Sequence, residues 1–343
     1  MIDQPRWKVV EYSRSKIINA GRVIRQDNKD SVEYREAISI VDNWRAAHSF
    51  PLHIIYMHLR RICIGSDVIV AERLKRLDSI VKKIIREKSM NLWTMQDLGG
   101  CRVIVQTISD VYSYALKYEN SRKRHIKKKE YDYIKNPKIS GYRSLHVVYE
   151  YHSDRVDTYN QNILIEIQYR THLQHLWATA VEAMGLFTKN SIKSGNGSDE
   201  VKRFFVLISA LFAYTEKQPL PPNVSDNINN IVTELQLIDS KCNYLAFLSG
   251  IRIAVEYKKE IKNDDGYCIL ILNYATRRLQ IKQFKSSEVD DANKVYSAIE
   301  NMRSSLKIDA VLVRVTSFKE LKKAYPNYFN DIGEFVDKVK AYF

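Results

Sequence analysis

The run ILIEIQYRT, residues 163–171, constrains the fold of this chain most strongly. Strand alternation places Glu166, Gln168 and Arg170 on one face and the apolar residues between them on the other. A carboxylate and a guanidinium are costly to bury unless they are paired or liganded. The polar face is therefore either a solvated edge or the wall of a polar cleft, and the sequence favours the cleft.

Further segments predict a sheet with helices packed against it. The runs CRVIVQT (101–107) and LHVVYEY (145–151) are rich in β-branched and aromatic residues and predict strands. Helical spacing of apolar residues predicts helices over 32–50 and 172–187, and residues 68–87 predict one basic amphipathic helix. This order of helices and strands predicts an α+β fold, a mixed sheet flanked by helices.

Two joints divide the chain. NSIKSGNGSDE (190–200) predicts an exposed loop, and the three prolines of KQPLPPNVSDN (217–227) stop a helix and begin a linker. Residues 227–250 predict one long helix with Gly250 past its end, and four strand-like runs with a helix at 288–305 predict a small C-terminal α/β unit. The predicted domains are residues 1–218, a linker and bridging helix over 219–249, and residues 250–343.

Charge is unevenly distributed along the chain. Residues 1–215 carry 35 Lys and Arg against 23 Asp and Glu, a surplus of 12, whereas residues 216–343 carry 19 against 17, a surplus of 2. Between Lys117 and Arg143, basic residues and tyrosines alternate in a mixture that suits phosphates and stacked bases. A solvated lysine-rich loop is the alternative. The front of the chain is expected to bind nucleotides or RNA.

The sequence also bounds the cellular setting. Four cysteines form no closely spaced pair, which argues against a zinc finger, a redox dithiol or a disulfide scaffold and predicts a reduced, cytoplasmic protein. The first residues have no apolar core for a signal peptide, and the longest apolar stretch, 204–214, is too short to span a bilayer. We therefore expect a soluble protein without a membrane partner.

Candidate chemistry comes from three separated clusters. The first is ERLKRLDSIVKK (72–83), which on a helix presents a fan of cations and a hydroxyl suited to a triphosphate, although a solvated basic helix face is the alternative. The second is Asp97, just before a predicted Gly99-Gly100 turn, which is placed either to bind Mg²⁺ or to cap a turn. Glu166 supplies a second carboxylate. Two carboxylates and a basic fan are the minimum for metal-assisted transfer from a nucleoside triphosphate.

Four segments resemble the consecutive motifs of the RelA/SpoT alarmone synthetase domain: ERLKRLDSIVKK, QDLGGCRVIV, YDYIKNPKISGYRSLH and EIQYRTHLQHLWA. The resemblance implies a nucleotidyltransferase-like enzyme that moves the β,γ-pyrophosphate of ATP to the 3′-hydroxyl of an acceptor nucleotide. It implies Mg²⁺ bound by Asp97 and Glu166, with Glu166 also the base that activates the hydroxyl. The ATP-binding residues it implies are Arg73, Lys75, Ser79, Lys83 and Arg102. The acceptor-binding residues are Tyr142, which stacks on the base, with Arg143, His146 and Lys138 near its phosphates or sugar.

A tyrosine pair near the C-terminus bears on regulation. Tyr325 and Tyr328 are three residues apart, and such a pair commonly belongs to a small domain's own core. The arrangement also resembles the Tyr-x-x-Tyr motif in the pseudo-zinc-finger domain of CapRel-type fused toxin-antitoxin proteins. That resemblance implies a tethered autoinhibitory domain that competes with ATP for an arginine, and a phage protein as the activating partner.

Three hypotheses about function follow. The first is a self-inhibited toxin that pyrophosphorylates the 3′ CCA end of tRNA, stops translation and defends against phage. The second is a (p)ppGpp synthetase that acts on GDP or GTP. Under either hypothesis no hydrolase half is expected, because the sequence contains no His-Asp dipeptide. The third is a non-catalytic nucleic-acid-binding module, against which the presence of both Asp97 and Glu166 argues.

Overall fold

The computed structural model describes residues 7–63, 68–188, 198–250, 254–256, 266–273, 275–276, 278–306, 308–315, 318–325 and 332–343. The helices within these ranges are α1 (Arg14–Arg25), α2 (Val32–Ala47), α3 (Ser49–Ile62), α4 (Leu77–Arg86), α5 (Ile108–Glu119), α6 (His172–Thr188), α7 (Ser198–Thr215), α8 (Ile228–Cys242), α9 (Tyr244–Gly250), α10 (Val289–Leu306), α11 (Phe318–Ala324) and α12 (Gly333–Lys340). The strands are β1 (Ile69–Leu74), β2 (Gly99–Val105), β3 (Ile126–Asp132), β4 (Leu145–Glu150), β5 (Leu164–Thr171), β6 (Ala254–Glu256), β7 (Gly266–Asn273), β8 (Arg278–Lys285) and β9 (Ile308–Val315).

All nine of these described strands belong to one sheet, in the order β3-β4-β5-β2-β1-β9-β7-β8-β6. The pairs β2–β5 and β6–β8 are parallel, and the other neighbours are antiparallel. The predicted α+β fold, a mixed sheet flanked by helices, is confirmed. The sheet continues across the predicted domain boundary, because β9 pairs with β1. In this pairing Glu72 lies opposite Arg314, and Arg73 lies opposite Val313.

Separate apolar clusters cover the two faces of the first five strands. One cluster packs α1 to α5 against the apolar face that contains Ile165, Ile167 and Tyr169. A second cluster is built from α6 to α9 together with α12, with Phe204, Phe212 and Phe335 buried inside it. The polar face of β5 is left between the sheet and α6, and this is where the candidate site lies.

Residues 68–87 correct one expectation, since they form a strand and a helix rather than one helix. The segment Ile69–Leu74 pairs with β2 on one side and β9 on the other. A β-branched run paired on both sides is more stable as a central strand than its helical spacing suggests. The helix begins only at Leu77, after Arg76 in extended conformation. Arg73 and Lys83 therefore come from different elements instead of one helical fan.

Two smaller expectations are also wrong. The predicted long helix over 227–250 is broken by Asn243, whose left-handed backbone (φ 54°) separates α8 from α9, and Gly250 is the last residue of α9. Gly99 and Gly100 open β2 instead of forming a turn. A Cβ atom at Gly99 would lie 2.7 Å from Cδ1 of Ile165, so a side chain there would have to displace the end of the Ile165 side chain.

The linker and loop predictions have different outcomes. The proline-rich segment 217–227 connects α7 to α8 as predicted. The predicted loop over 190–200 lies mostly outside the described residues, and α7 begins at Ser198 within it. Among the described residues, no helix combines the length and the apolar character needed to cross a bilayer.

Buried ion pairs fasten the C-terminal elements to the first five strands. Arg45 of α2 pairs with Glu300 of α10, and Glu300 also accepts a hydrogen bond from the backbone N–H of Leu77 at 3.1 Å. Arg76 pairs with the fully buried Asp309 of β9 at 2.9 Å. A buried charge that loses its partner is strongly destabilising, so these pairs hold the two parts of the sheet in one arrangement.

Candidate active site

A small cavity opens on the polar face of the sheet where β1, β2 and β5 lie side by side. Strand register puts its side chains together, because Gly100 lies opposite both Arg73 and Glu166, and Arg102 lies opposite Gln168. The cavity has a volume of about 50 Å³. Its lining residues are Ala71, Arg73, Lys75, Asp97, Gly100, Cys101, Arg102, Glu166, Gln168 and Tyr325.

Asp97 lies in the turn before β2 and is held by two lysines. Nζ of Lys75 donates to its Oδ2 at 2.8 Å, and Nζ of Lys83 donates to its Oδ1 at 3.1 Å. Burial tends to raise the pKa of Asp97, but the charges and hydrogen bonds of these lysines outweigh burial and lower it. Asp97 is therefore ionised at neutral pH, with both carboxylate oxygens occupied by cations.

Glu166 belongs to a closed ring of hydrogen bonds. Its Oε1 accepts from Nδ1 of His146 at 2.9 Å, and its Oε2 accepts from the Gln168 amide at 2.6 Å. Arg170 donates to Gln168 at 2.5 Å and to the Tyr142 hydroxyl at 3.2 Å. The Tyr142 hydroxyl lies 2.7 Å from Nε2 of His146, which closes the ring. Such a network fixes the orientation of the carboxylate.

The ring also changes the protonation of its members. Burial tends to raise the pKa of Glu166, but the hydrogen bond and charge of His146 and the hydrogen bond from Gln168 lower it. Burial likewise tends to raise the pKa of Tyr142, but the charges of Arg170 and His146 prevail and lower it to about 8. Burial tends to lower the pKa of His146, whereas Tyr142 and Glu166 together raise it. Glu166 is therefore ionised at neutral pH, with its carboxylate held by His146 and Gln168.

The predicted ATP-binding residues are brought together only in part. Arg73, Lys75 and Arg102 line the cavity, and Lys83 reaches its edge through Asp97. Ser79 lies on α4, half-buried, and is not among the cavity-lining residues. Burial and the nearby charges of Arg170 and Arg73 lower the pKa of Arg102 to about 9. Among the described residues, no carboxylate accepts a hydrogen bond from the Arg102 guanidinium.

The predicted acceptor residues also divide into two groups. Tyr142, His146 and Lys138 lie together, with Nζ of Lys138 5.6 Å from the Tyr142 ring centroid. Arg143 is not among them. It is buried, pairs with Glu216 at 2.7 Å and donates to Ser209, so this structure does not present it to an acceptor beside Tyr142.

Glycine shapes the loop that presents Tyr142. Gly141 has φ +84°, a backbone conformation that L side chains rarely adopt, and a Cβ atom there would lie 3.0 Å from Ser209 and 3.2 Å from Trp177. Its carbonyl accepts a hydrogen bond from the Ser209 hydroxyl. The loop is thus anchored to α7 and α6, which set the position of the tyrosine.

The C-terminal segment 323–325 covers the cavity. Tyr325 is 3% exposed, its hydroxyl donates to the Glu72 carbonyl at 3.1 Å, and its ring centroid lies 5.9 Å from the Arg102 guanidinium. Arg102 donates to the Ala324 carbonyl at 3.1 Å, and His175 donates to the Lys323 carbonyl at 2.9 Å. The segment therefore occupies space beside Arg73 and Arg102, two of the residues expected to bind ATP. Tyr328 lies outside the described residues.

The basic run between Lys117 and Arg143 is not one surface next to Tyr142. Strand β3 carries part of the run, and its lysines pair locally, Lys127 with Glu119 and Glu130. Residues 122–125 lie at the opposite end of β3 and β4 from Tyr142. There they line a separate cavity of about 640 Å³ with residues 151–155. Their closeness in sequence to Tyr142 therefore does not become closeness in space.

Sequence reasoning gave no site role to several residues that contact the site. Gln168 and Arg170 complete the ring around Glu166, and their strand alternation with Glu166 was the signal for it. His175 contacts Lys323, and Glu182 accepts from Arg76 at 3.0 Å. These two lie on α6, and no local pattern in their segment distinguishes them from ordinary helix residues.

The carboxylates expected to bind Mg²⁺, Asp97 and Glu166, both accept hydrogen bonds from protein side chains in this structure. Asp97 and Glu166 line one cavity, and the charge of Asp97 acts on Glu166. Within the described ranges, no group of three or more His, Cys, Asp or Glu side chains could hold a metal ion. Mg²⁺ is commonly bound by one or two carboxylates together with substrate phosphates. Asp97 and Glu166 are the residues that would hold such an ion together with a nucleotide.

Comparison with known proteins places this site in a family context. GTP pyrophosphokinase YjbM of Bacillus subtilis is 35% identical over 136 residues, which is 39% of this chain and 61% of the relative. GTP pyrophosphokinase YwaC of the same organism is 34% identical over 113 residues, 31% of this chain and 52% of the relative. The chain thus spans between half and two thirds of the length of these relatives.

Two solved structures also resemble part of the chain. The small alarmone synthetase 1 from Bacillus subtilis is 27% identical with a TM-score of 0.42, covering 50% of this chain and 88% of that one. A GTP pyrophosphokinase family protein from Streptococcus pneumoniae is 29% identical with a TM-score of 0.40, covering 55% and 91%. Residues 72–191, which contain Asp97, Tyr142 and Glu166, match the family model described as the region found in RelA / SpoT proteins.

Proposed function

We propose that this protein is an ATP-dependent pyrophosphokinase that transfers the β,γ-pyrophosphate of ATP to a 3′-hydroxyl. One observation carries the proposal: two ionised carboxylates, Asp97 and Glu166, line one cavity with Arg73, Lys75 and Arg102. The match of residues 72–191 to the RelA / SpoT region supports it. Cations and a metal ion neutralise phosphate charge, and a carboxylate can take the proton of the attacking hydroxyl.

In this proposal each residue at the site has a separate role. Arg73 and Arg102 hold the adenine, while Lys75 and Lys83 move from Asp97 to the phosphates. Asp97 and Glu166 hold Mg²⁺, which neutralises phosphate charge when bound. The acceptor's 3′-oxygen bonds to the β-phosphorus as the bond from that phosphorus to the α,β-bridging oxygen breaks, and AMP leaves. Glu166, held in place by its hydrogen bond from His146, receives the hydroxyl proton.

The acceptor in this proposal is the 3′ CCA end of tRNA, whose pyrophosphorylation would stop translation. The surplus of 12 positive charges in residues 1–215, 35 against 23, favours a large polyanion over one nucleotide. The second candidate is a (p)ppGpp synthetase acting on GDP or GTP. It is favoured by the relatives, which are GTP pyrophosphokinases by name.

The C-terminal part of the chain would act as an autoinhibitory domain. Tyr325 sits against Arg102 inside the cavity, and about 50 Å³ is far less than an adenine nucleotide needs. In this proposal residues 1–218 form the toxin domain, 219–249 the bridging helix, and 250–343 a pseudo-zinc-finger-like sensor. A phage protein that binds the open form would shift the balance and trigger defence against phage.

The decisive experiment uses ATP labelled at the γ-phosphate. The Tyr325→Ala variant is incubated with Mg²⁺ and either deacylated tRNA, GDP or GTP, and the products are separated. The proposal expects label on the tRNA 3′ end and AMP in equal amount. Label on GDP or GTP alone would establish the second candidate instead. If no acceptor is labelled although the variant binds an ATP analogue, the enzyme proposal is wrong.

A further inference from the structure

Arg143 and Glu216 form a buried ion pair where the loop before β4 meets the end of α7. Nη1 of Arg143 lies 2.7 Å from Oε2 of Glu216, and the two side chains are 2% and 8% exposed. Taking two charges out of water is costly, and a well-packed apolar pair of similar size is often as stable as a buried ion pair. Stability alone therefore does not account for these two charges.

The position of Glu216 gives the same indication. Glu216 directly follows α7, and its backbone N–H donates to the Phe212 carbonyl at 3.0 Å. A carboxylate at the carboxyl end of a helix meets the negative end of the helix dipole, so it does not stabilise α7. Its contacts lie elsewhere. Besides Arg143, the Thr171 hydroxyl at the end of β5 donates to Glu216, and the Gln174 amide in the first turn of α6 donates to it at 3.1 Å.

The residues on both sides of Tyr142 are fixed to α7. The buried Ser209 hydroxyl of α7 donates to the Gly141 carbonyl. Nε of Arg143 donates to the same hydroxyl oxygen at 3.3 Å, while the far end of that guanidinium reaches Glu216. The backbone before and after Tyr142 therefore cannot shift without breaking contacts with α7.

The Tyr142 ring is held at its other end as well. Its hydroxyl lies 2.7 Å from Nε2 of His146 and accepts from Arg170 at 3.2 Å. The residue is half-buried, so part of the ring surface is accessible. A ring that stacks on a base has to keep its plane, because a displacement of about 1 Å misplaces the reacting group that the base carries. Contacts at both ends of the tyrosine meet this requirement.

We propose that Arg143 and Glu216, together with Ser209, are positioning residues for the acceptor. They fix the backbone on both sides of Tyr142 and thereby hold its ring in the plane that stacks on the acceptor's base. Arg143 in this inference acts through Tyr142 and does not contact the acceptor itself. The inference rests on the proposed function, because it assumes that Tyr142 holds the accepting nucleotide.

Three variants of the full chain separate positioning from folding. Arg143→Met combined with Glu216→Gln, the pair variant, removes both charges, so neither is left buried without its partner. Ser209→Ala removes only the hydroxyl and leaves the ion pair in place. The matched control combines Arg203→Met with Glu234→Gln, which removes the ion pair of 2.6 Å between α7 and α8.

The first readout needs no nucleotide and is therefore independent of transfer. Burial tends to raise the pKa of Tyr142, but the charges of Arg170 and His146 lower it to about 8. Its ionisation, followed by absorbance at about 295 nm, thus reports whether the ring keeps these contacts. The midpoint should rise by about one pH unit in the pair variant and by less in Ser209→Ala, and it should stay near pH 8 in the control.

The second readout is kinetic and uses the Tyr325→Ala background. The acceptor is whichever of deacylated tRNA, GDP and GTP takes label from ATP. The pair variant should raise the KM for that acceptor roughly tenfold and change kcat by less than about threefold. Its affinity for a non-hydrolysable ATP analogue should equal that of the parent, because the donor side is unchanged.

Two results would overturn the inference. A tyrosine midpoint that stays near pH 8 in both the pair variant and Ser209→Ala would mean that the ring does not depend on these contacts. If the pair variant does not fold, the midpoint of Ser209→Ala decides alone. An unchanged KM for the acceptor would reduce the ion pair to a purely structural role. If no acceptor takes label, the proposed function fails, while the tyrosine titration still tests the positioning.

Discussion

The two sides of Glu166 differ in how they are covered. On the side of Arg73 and Arg102, the protein's own Tyr325 leaves a cavity of about 50 Å³. On the side of Tyr142, a groove of about 970 Å³ remains open. Glu166 lies between the two sides. It is 8% exposed, and its ring of hydrogen bonds holds the carboxylate in place. The proposed autoinhibition would therefore act on the nucleotide donor and leave the acceptor side accessible.

The largest expected effect comes from the residue that the two sides share. Glu166→Gln keeps the shape of the side chain but removes the base, so transfer in the Tyr325→Ala background should fall by roughly 10²- to 10⁴-fold. AMP release from labelled ATP measures it. Glu150→Gln is the matched control, because Glu150 pairs with Lys128 at the far end of β4. A Glu166→Gln rate within threefold of the parent would remove Glu166 from the chemistry.

The covered side predicts the next largest effect. Tyr325→Ala removes one hydrogen bond and one cation–π contact, together about 2 kcal/mol, so the open fraction and the transfer rate should rise roughly 30-fold. Expression of this variant should be lethal, and adding Glu166→Gln should rescue growth. Tyr214→Ala, at a 52% exposed position on α7, should be harmless. A harmless Tyr325→Ala would mean that the segment does not inhibit.

On the open side, a substitution at Tyr142 should change only the affinity for the acceptor. Tyr142→Leu removes the aromatic face and should weaken acceptor binding roughly tenfold, without changing the affinity for an ATP analogue. Fluorescence anisotropy with each ligand separates the two.

The ring of hydrogen bonds around Glu166 predicts a further effect, because one tyrosine should ionise near pH 8 in an absorbance titration at about 295 nm. Retention of that transition in Tyr142→Phe would assign it to another tyrosine.

The smallest effect concerns the contact between α6 and the covering segment. Burial and the charges of Arg102 and Arg170 hold the pKa of His175 well below its usual 6.5. In the unfolded chain His175 takes a proton as the pH falls below about 6.5, so its contribution to stability is full above that pH and declines below it. Between pH 7.5 and 5.5 the free energy of unfolding of wild type, measured by urea denaturation, should fall further than that of His175→Gln, by about 1 kcal/mol. Parallel curves would contradict the burial of a neutral His175.

The sequence predicts the local elements of the fold better than their pairing. Runs with strict alternation, such as 163–171, form strands as expected, because one buried face and one polar face specify both period and register. The segment 68–87 misleads because its apolar spacing satisfies a helix, while pairing with strands on both sides makes the first half a strand. The contact of β9 with β1 spans more than 200 residues, and no local pattern indicates it.

The candidate site shows the same difference, because its local features can be predicted from the sequence and its long-range contacts cannot. Asp97 and Glu166 share a cavity as predicted, because parallel register of β2 and β5 aligns their ends. Arg143 follows Tyr142 directly, yet its guanidinium is buried in an ion pair with Glu216, just past the end of α7. The position of Tyr325 against Arg102 depends on tertiary packing that the sequence does not reveal.

The most direct test of the account is equilibrium binding of a non-hydrolysable ATP analogue, with Mg²⁺, to wild type and Tyr325→Ala. The covered donor side predicts weak binding to wild type and roughly 30-fold tighter binding to the variant, with the affinity for deacylated tRNA equal in both. Equal affinity of the two proteins for the ATP analogue would contradict the claim that Tyr325 closes the donor side.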